Sequence, residues 1–249
     1  MKATTLLSGF ILLFLFVPPV PAAGAEAGRA EPQLALLYDF QAVEGMQIPD
    51  GSGHGHTGTL EAGAIVFGRN KPAVQFAGKG LVTMTQSSGS LDPASRALTV
   101  GAMCKPGAPD GVIVSMGDRK DGFSLYLQGG VPHFAVRENG ALHEVVATDP
   151  VDLDQWVHVA GVIDGKGELA LLVDAFPVAR AQGSLLAHTP GEPLSVGADA
   201  GSFVGEYKTP LCWQGLLQDV RLYWGAVSRE ANRDLLGEWA NRPGCGVHK

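Results

Sequence analysis

Two strand phrases in the second half of the chain constrain its fold most. One is Trp156-Val157-His158-Val159-Ala160-Gly161-Val162-Ile163-Asp164. The other is Gly215-Leu216-Leu217-Gln218-Asp219-Val220-Arg221-Leu222-Tyr223, followed by Ala226-Val227-Ser228-Arg229-Glu230. Both are β-rich and nearly continuous in apolar character. A strand that is apolar on both faces has to be covered on both, so such runs belong inside a packed body of two sheets.

The rest of the chain keeps the same rhythm. Gly, Pro, Asn and Asp recur about every ten residues. Between them lie short runs rich in Val, Leu, Phe and Tyr at 34–40, 73–76, 98–104, 112–116, 123–128, 133–137, 143–147, 168–174 and 194–197. Many short strands at regular spacing predict an all-β sandwich or barrel. Alternation is visible within them. Leu169, Leu171 and Val173 face one way, and Ala170 and Leu172 the other. Leu125 and Leu127 alternate with Ser124, Tyr126 and Gln128. One helix is expected near the end. Ser228 is a good N-cap, Glu230 sits in the first turn, and Leu235, Leu236 and Trp239 follow at helical spacing.

The opening residues point to export. Lys2 precedes the apolar run 6–17, Pro18 to Pro21 break it, and Ala23-Gly24-Ala25 offers a small-x-small cleavage site. The run is too short to span a bilayer, and no later segment is long enough. The expectation is a signal peptide at 1–25, a short leader at 26–33, one domain at 34–240 and a tail at 241–249, with no membrane insertion after cleavage. The location would be secreted, periplasmic or extracellular. The formal net charge of −7, with scattered basic residues, argues against nucleic acid and anionic membranes as partners. Cys104, Cys212 and Cys245 in an oxidising compartment suggest one disulfide and one leftover thiol.

Five pieces together resemble the laminin-G-like family of concanavalin A-like jelly rolls. Leu37-Tyr38-Asp39-Phe40 looks like its first strand. Asp50 to Leu60 is similar to its Asp-x-Ser-Gly-x-Gly loop, and Ala73 to Gly78 to the strand after it. Trp156 to Ala160 with Leu172-Val173-Asp174 looks like its central hairpin, and Gly215 to Ser228 like its closing strand and the cap of the following helix. The chain departs from the pattern in having Met103 for a usual Trp, and Ala175 after Asp174 where Gly is usual. The resemblance implies a two-sheet antiparallel jelly-roll sandwich with one short C-terminal helix.

The resemblance also nominates sites. The glycine-rich loop after Asp50 would aim carbonyls inward, and calcium takes six to eight oxygen ligands. In this family the first segment lies close to the last strand, which makes Asp50 and Asp219 the candidate carboxylates for a structural calcium. The bland alternative is that Asp50 opens a turn and Asp219 pairs with Arg221. Laminin-G domains often tie their closing strand to a C-terminal cysteine, implying Cys212–Cys245, with Cys104 a buried free thiol. The rival pairing is Cys104 with Cys212.

The long segment 199–213 holds Phe203, Tyr207, Lys208 and Trp213. Long loops on rigid sandwiches often carry binding residues, and aromatic faces stack on sugars or apolar side chains. Against this, Phe203 and Trp213 would simply pack the loop onto the body. His158, beside apolar neighbours in its strand, is expected to be a satisfied core or sheet-face histidine rather than a catalytic one, since no partner nucleophile is identifiable. Enzyme motifs are lacking. No glutamate is followed two residues on by Asp, the same-face spacing of the glucanase branch, and there is no Gly-x-Ser-x-Gly elbow or His-Glu-x-x-His helix. The expectation is a non-catalytic module binding a glycan or an extracellular protein. The alternative is a glycoside hydrolase or lyase with carboxylates converging from separate strands.

Overall fold

A computed structural model gives the architecture. It describes residues 31–85, 91–209 and 211–227. Sixteen strands occur among them, and no helix. The first six are β1 (Gln33–Tyr38), β2 (Gln47–Ile48), β3 (Gly58–Glu61), β4 (Ala64–Phe67), β5 (Pro72–Ala77) and β6 (Leu81–Met84). Then come β7 (Leu98–Pro106), β8 (Gly111–Gly117), β9 (Gly122–Gln128), β10 (Val131–Glu138) and β11 (Ala141–Val146). The last five are β12 (Val157–Ile163), β13 (Glu168–Val173), β14 (Phe176–Gln182), β15 (Ser195–Val196) and β16 (Gln214–Trp224). The signal segment, the helix expected after Ser228 and the tail lie outside the described residues.

The strands form two eight-stranded sheets. Sheet A runs β14-β13-β12-β7-β16-β5-β4, with β1 also paired to β16. Sheet B runs β11-β10-β9-β8-β15-β6-β3-β2. Neighbours are antiparallel, as in the pairing of Ala160 with Gly101 between β12 and β7. The two strand phrases that opened the sequence reading are thus β12 and β16, separated only by β7 in the middle of sheet A. β16 serves three partners. β7 runs along one edge, while β5 takes the first part of the other edge and β1 the last part. A bulge at Asp219 and Val220 marks the changeover on that strand.

The alternation read from sequence sorts the faces. Leu169 and Leu171 of β13, Val159 of β12 and Phe123, Leu125 and Leu127 of β9 all enter the central core. Each such side chain contributes about 1.5–3 kcal/mol when fully removed from water. The hairpins use positive-φ turns that suit the twist of the flanking strands. Gly129-Gly130 joins β9 to β10, and Asn139-Gly140 joins β10 to β11. Asp174-Ala175 makes the same kind of turn between β13 and β14, at φ 48° and 68°.

Candidate functional site

The loop 197–213 leaves sheet B and ends in sheet A. Its start depends on Gly197, at φ 87°, where a Cβ would lie 2.4 Å from the Phe76 ring. Gly197 donates to the Ile113 carbonyl and accepts from the Trp213 backbone, which ties the two ends of the loop together. Trp213 is fully buried in the core. It fills the sandwich and offers no platform to a ligand, which corrects its nomination as a binding residue. Lys208 is exposed and Phe203 is half-buried. Arg119 and Arg137 lie over the Phe203 ring, 4.5 and 5.7 Å from its centre. Tyr207 is buried, with its ring edge against Tyr126 at 4.7 Å.

Beneath this loop the outer face of sheet B carries a polar network. Tyr207 donates to Asp199 Oδ2 at 2.6 Å and lies 2.7 Å from Ser124 Oγ. Tyr126 donates to Glu144, whose Oε1 is also 3.2 Å from His133 Nδ1. His133 stands directly opposite Tyr126 across the β9–β10 pair, and the two rings stack at 4.8 Å. Arg137 donates through Nε to the Val204 carbonyl at 2.6 Å and through Nη2 to Glu206 at 2.8 Å. Partial burial raises the Glu144 pKa, but bonds from His133 and Tyr126 outweigh it and hold this carboxyl below its ordinary range. Burial pushes Asp199 above the usual carboxylate range, against its bonds from Tyr207 and Val204, and repulsion from Glu192 adds to the rise.

Asp199 also lines a cleft of about 250 Å³, with Thr83, Gly117, Glu192, Pro193, Ser195, Ala200 and Gly201. Both Glu192 oxygens take the Ser202 N–H, and Oε1 the Ser202 hydroxyl as well. A larger cleft of about 320 Å³ opens by β5 and β16, lined by Gln75, Lys105, Asp154 and Gln214 among others. Among the described residues no side-chain hydrogen-bond network leads into that one, so the cleft beside Asp199 is the stronger candidate site. The sequence nominates the loop but not the floor beneath it. Its one available signal was the alternation that set Ser124 and Tyr126 on the face opposite Leu125. Glu144 and His133 needed the strand register to join them.

The two calcium candidates do not fit that ion as arranged. Asp50 Oδ1 accepts the N–H groups of Leu37 and Ser52, and Oδ2 accepts the Ser52 hydroxyl and the His56 N–H, all within 3.1 Å. Partial burial raises its pKa, but these bonds together hold it below the ordinary range. Asp219 is ion-paired to Lys71 at 2.5 Å and to Arg221 at 3.2 Å. The Asp50 carboxylate is filled by donors and Asp219 is neutralised by two cations, although Asp219 Oδ1 is buried without a hydrogen-bond partner among the described residues. Among the described residues no three His, Cys, Asp or Glu side chains group as metal ligands. The bland turn-and-ion-pair reading describes both residues.

Cys104 is buried and Cys212 half-buried, and among the described residues neither is bridged, so the rival pairing between them is not formed. Cys245 lies outside the described residues. His158 is buried on the outer face of sheet A, but among the described residues its Nδ1 has no hydrogen-bond partner. It is therefore not the satisfied histidine expected from sequence.

Comparison with curated proteins returned no match. Among solved structures the fold resembles domain 4 of AbnA, a GH43 extracellular arabinanase from Geobacillus stearothermophilus in complex with arabinotriose. That match has a TM-score of 0.66 and 17% identity, covering 83% of this chain and 99% of that one. It also resembles the binding domain of Paraclostridial Mosquitocidal Protein 1, with a TM-score of 0.64, 14% identity, and coverage of 84% and 53%. A heptameric SAP-like pentraxin from Limulus polyphemus matches with a TM-score of 0.53, 22% identity, and coverage of 69% and 84%. At these identities the likeness concerns the fold alone. The Laminin_G_3 family model, of the concanavalin A-like lectin/glucanases superfamily, matches residues 76–231. The sandwich, its register and this match over more than half the sequence lead to one conclusion: the chain belongs to that laminin-G-like family.

Proposed function

We propose that this protein is a non-catalytic recognition module that binds a glycan outside the cytoplasm, through the outer face of sheet B beside the loop 197–213. The observation that carries the reading is the chain of hydrogen bonds from Ser124 through Tyr207 to Asp199 on the wall of the cleft. Sugar hydroxyls need fixed donors and acceptors at a partly dry surface, and this network holds its groups in place before any ligand arrives. Thr83 and Ser195 line the same cleft and add hydroxyls, and Glu192, already bonded to Ser202, lines it too. Phe203 and Lys208, both nominated from sequence, lie on the same loop as Asp199, half-buried and exposed respectively. The arabinanase domain solved with arabinotriose lends support by analogy of fold. The signal-like residues 1–25 support the location.

A second reading has one observation in its favour. Glu192 and Asp199 line one cleft, and their environments differ, with Asp199 pushed upward by burial. Two carboxyls lining one cleft are the raw material of a glycosidase. Against it, both Glu192 oxygens are taken by Ser202, and the Asp199 oxygen by Tyr207.

A glycan array followed by calorimetry tests the binding reading. Phe203→Ala and Glu192→Gln should each weaken the best hit at least about tenfold, or ~1.4 kcal/mol, with the fold intact. Unaltered affinity in both variants would move the site elsewhere, and no hit on the array would sink the glycan reading. Reducing-sugar release that disappears in Asp199→Asn would establish the hydrolase instead.

A further inference from the structure

The register of sheet B lays one unbroken row of hydroxyl and amide side chains across its outer face. Gln47, Thr59, Thr83, Ser195, Ser115 and Ser124 stand side by side on β2, β3, β6, β15, β8 and β9. Residues next to them along the strands, such as Leu60, Val82 and Val196, enter the core, so by alternation the row faces outward. The loop 197–213 roofs one half of it. Ser115 donates to the Ala198 carbonyl at 3.4 Å and lies 3.0 Å from Ser195 Oγ, while Ser124 is taken by Tyr207. The other half is open. Gln47 is exposed, and Thr59 and Thr83 are half-buried. Thr83 and Ser195 belong both to the row and to the cleft beside Asp199, so the open half begins inside that cleft.

The open half is ordered by its own bonds. Gln47 Nε2 donates to Thr59 Oγ1 at 3.2 Å, and Thr59 Oγ1 lies 2.9 Å from Thr85 Oγ1. Groups held this way lose little freedom when a ligand arrives. Thr83, which joins Thr59 to the cleft, makes no side-chain hydrogen bond among the described residues, so its hydroxyl can both donate and accept. Neighbouring strands lie about 4.8 Å apart, so from Ser195 to Gln47 the row covers roughly 14 Å. That is longer than one sugar ring. The row itself carries no charge. The charged groups beside it are acidic: Glu61, exposed two residues along from Thr59, and Glu192 and Asp199 in the cleft. Such a border repels an anionic chain and leaves a neutral one to pair hydroxyl with hydroxyl.

We propose that this row is a second stretch of the binding site, and that the ligand is an uncharged linear glycan of several sugar units. It would lie across the strands from the Asp199 cleft over Thr83 and Thr59 to Gln47. The proposal rests on the glycan reading of the cleft and adds the length, direction and charge class of the ligand.

Calorimetry with gluco-, manno-, galacto- and xylo-oligosaccharides, from dimer to hexamer, tests this. At least one series should bind, with affinity rising about tenfold or more between its shortest binding member and the hexamer. Thr59→Val with Gln47→Leu should leave the shortest member's affinity as it was and abolish the gain with length, at an unchanged melting temperature. Thr59→Ser, which keeps the hydroxyl, should keep the gain. A series that binds but gains nothing with length, or gains as much in the double variant, overturns this proposal and leaves the glycan reading standing. Binding by none of the series overturns both. Tighter binding by oligogalacturonates than by every neutral series overturns the proposal through its charge class.

Discussion

Ala175 occupies a backbone position that suits glycine. It is the second residue of the Asp174-Ala175 turn, at φ 68°, and it is buried. A left-handed conformation costs a residue with a Cβ roughly 1–2 kcal/mol. Asp174 bears its own positive φ more easily, because its carboxylate accepts the His158 N–H at 2.9 Å and its backbone N–H donates to the His158 carbonyl. Ala175→Gly removes the strain and forfeits one buried methyl and some chain entropy. The expected net gain is about 0.5 kcal/mol of stability, measured as a higher urea midpoint at unchanged slope. A lower midpoint would mean that the methyl packs better than the turn strains.

At the scale of the element, β12 carries a histidine where its neighbours are apolar. Burial, aided by the Arg221 charge and opposed by Asp219, lowers the His158 pKa from its ordinary 6.5 to about 4. The unfolded chain therefore takes up a proton near pH 6.5 while the folded chain resists until about 4. Between those values the unfolded state holds more protons, so stability is lost as pH falls through that window. The loss attributable to His158 is on the order of 3 kcal/mol. His158→Gln should flatten the fall in urea midpoint between about pH 6.5 and 4. An equally steep profile in the variant would assign the effect to another group. The same element explains why β16 bends. Asp219 sits at φ 56° in the bulge, where the strand's outer-edge partner changes from β5 to β1, and Lys71 and Arg221 hold its carboxylate there.

At the scale of the whole molecule, the chain ends are closed by strand pairing and hydrogen bonds. β1 pairs with the last part of β16, and Asp50 ties its loop back to the Leu37 N–H of β1. An ion bound only by the folded state would raise stability by about 2.7 kcal/mol at a hundredfold excess over its Kd. No such increment is expected from calcium, given how Asp50 and Asp219 are occupied. Calorimetric melting in calcium and in excess chelator should coincide. A melting temperature that rises with calcium would restore the calcium site inferred by resemblance and require both carboxylates to exchange their partners. The cysteines add a separate question at this scale. A Cys212–Cys245 bridge would close a loop worth roughly 3–4 kcal/mol in the chain-entropy model, and peptide mapping without reduction reads it directly.

Much of the fold was legible because period-two alternation is a local property. The faces of Glu168–Val173 and Gly122–Gln128, the central positions of β12 and β16, and the sandwich class all follow from residues a few positions apart. Short or mixed strands such as Phe176–Gln182, mostly exposed at a sheet edge, carry no such signal. The candidate site was legible only as a long aromatic loop. Trp213 reads in sequence as a loop aromatic, yet the return of the loop to sheet A drives it into the core. Tyr126, His133 and Glu144 lie on three different strands, and only antiparallel register brings them into one cluster. Asp50 and Asp219 show the same limit from the other side. Sequence determined that each is a carboxylate, and only the family resemblance set them near a chain closure. Tertiary structure decided that one serves backbone N–H groups and the other two cations, because a side chain's role is set by the partners the fold delivers within hydrogen-bonding reach.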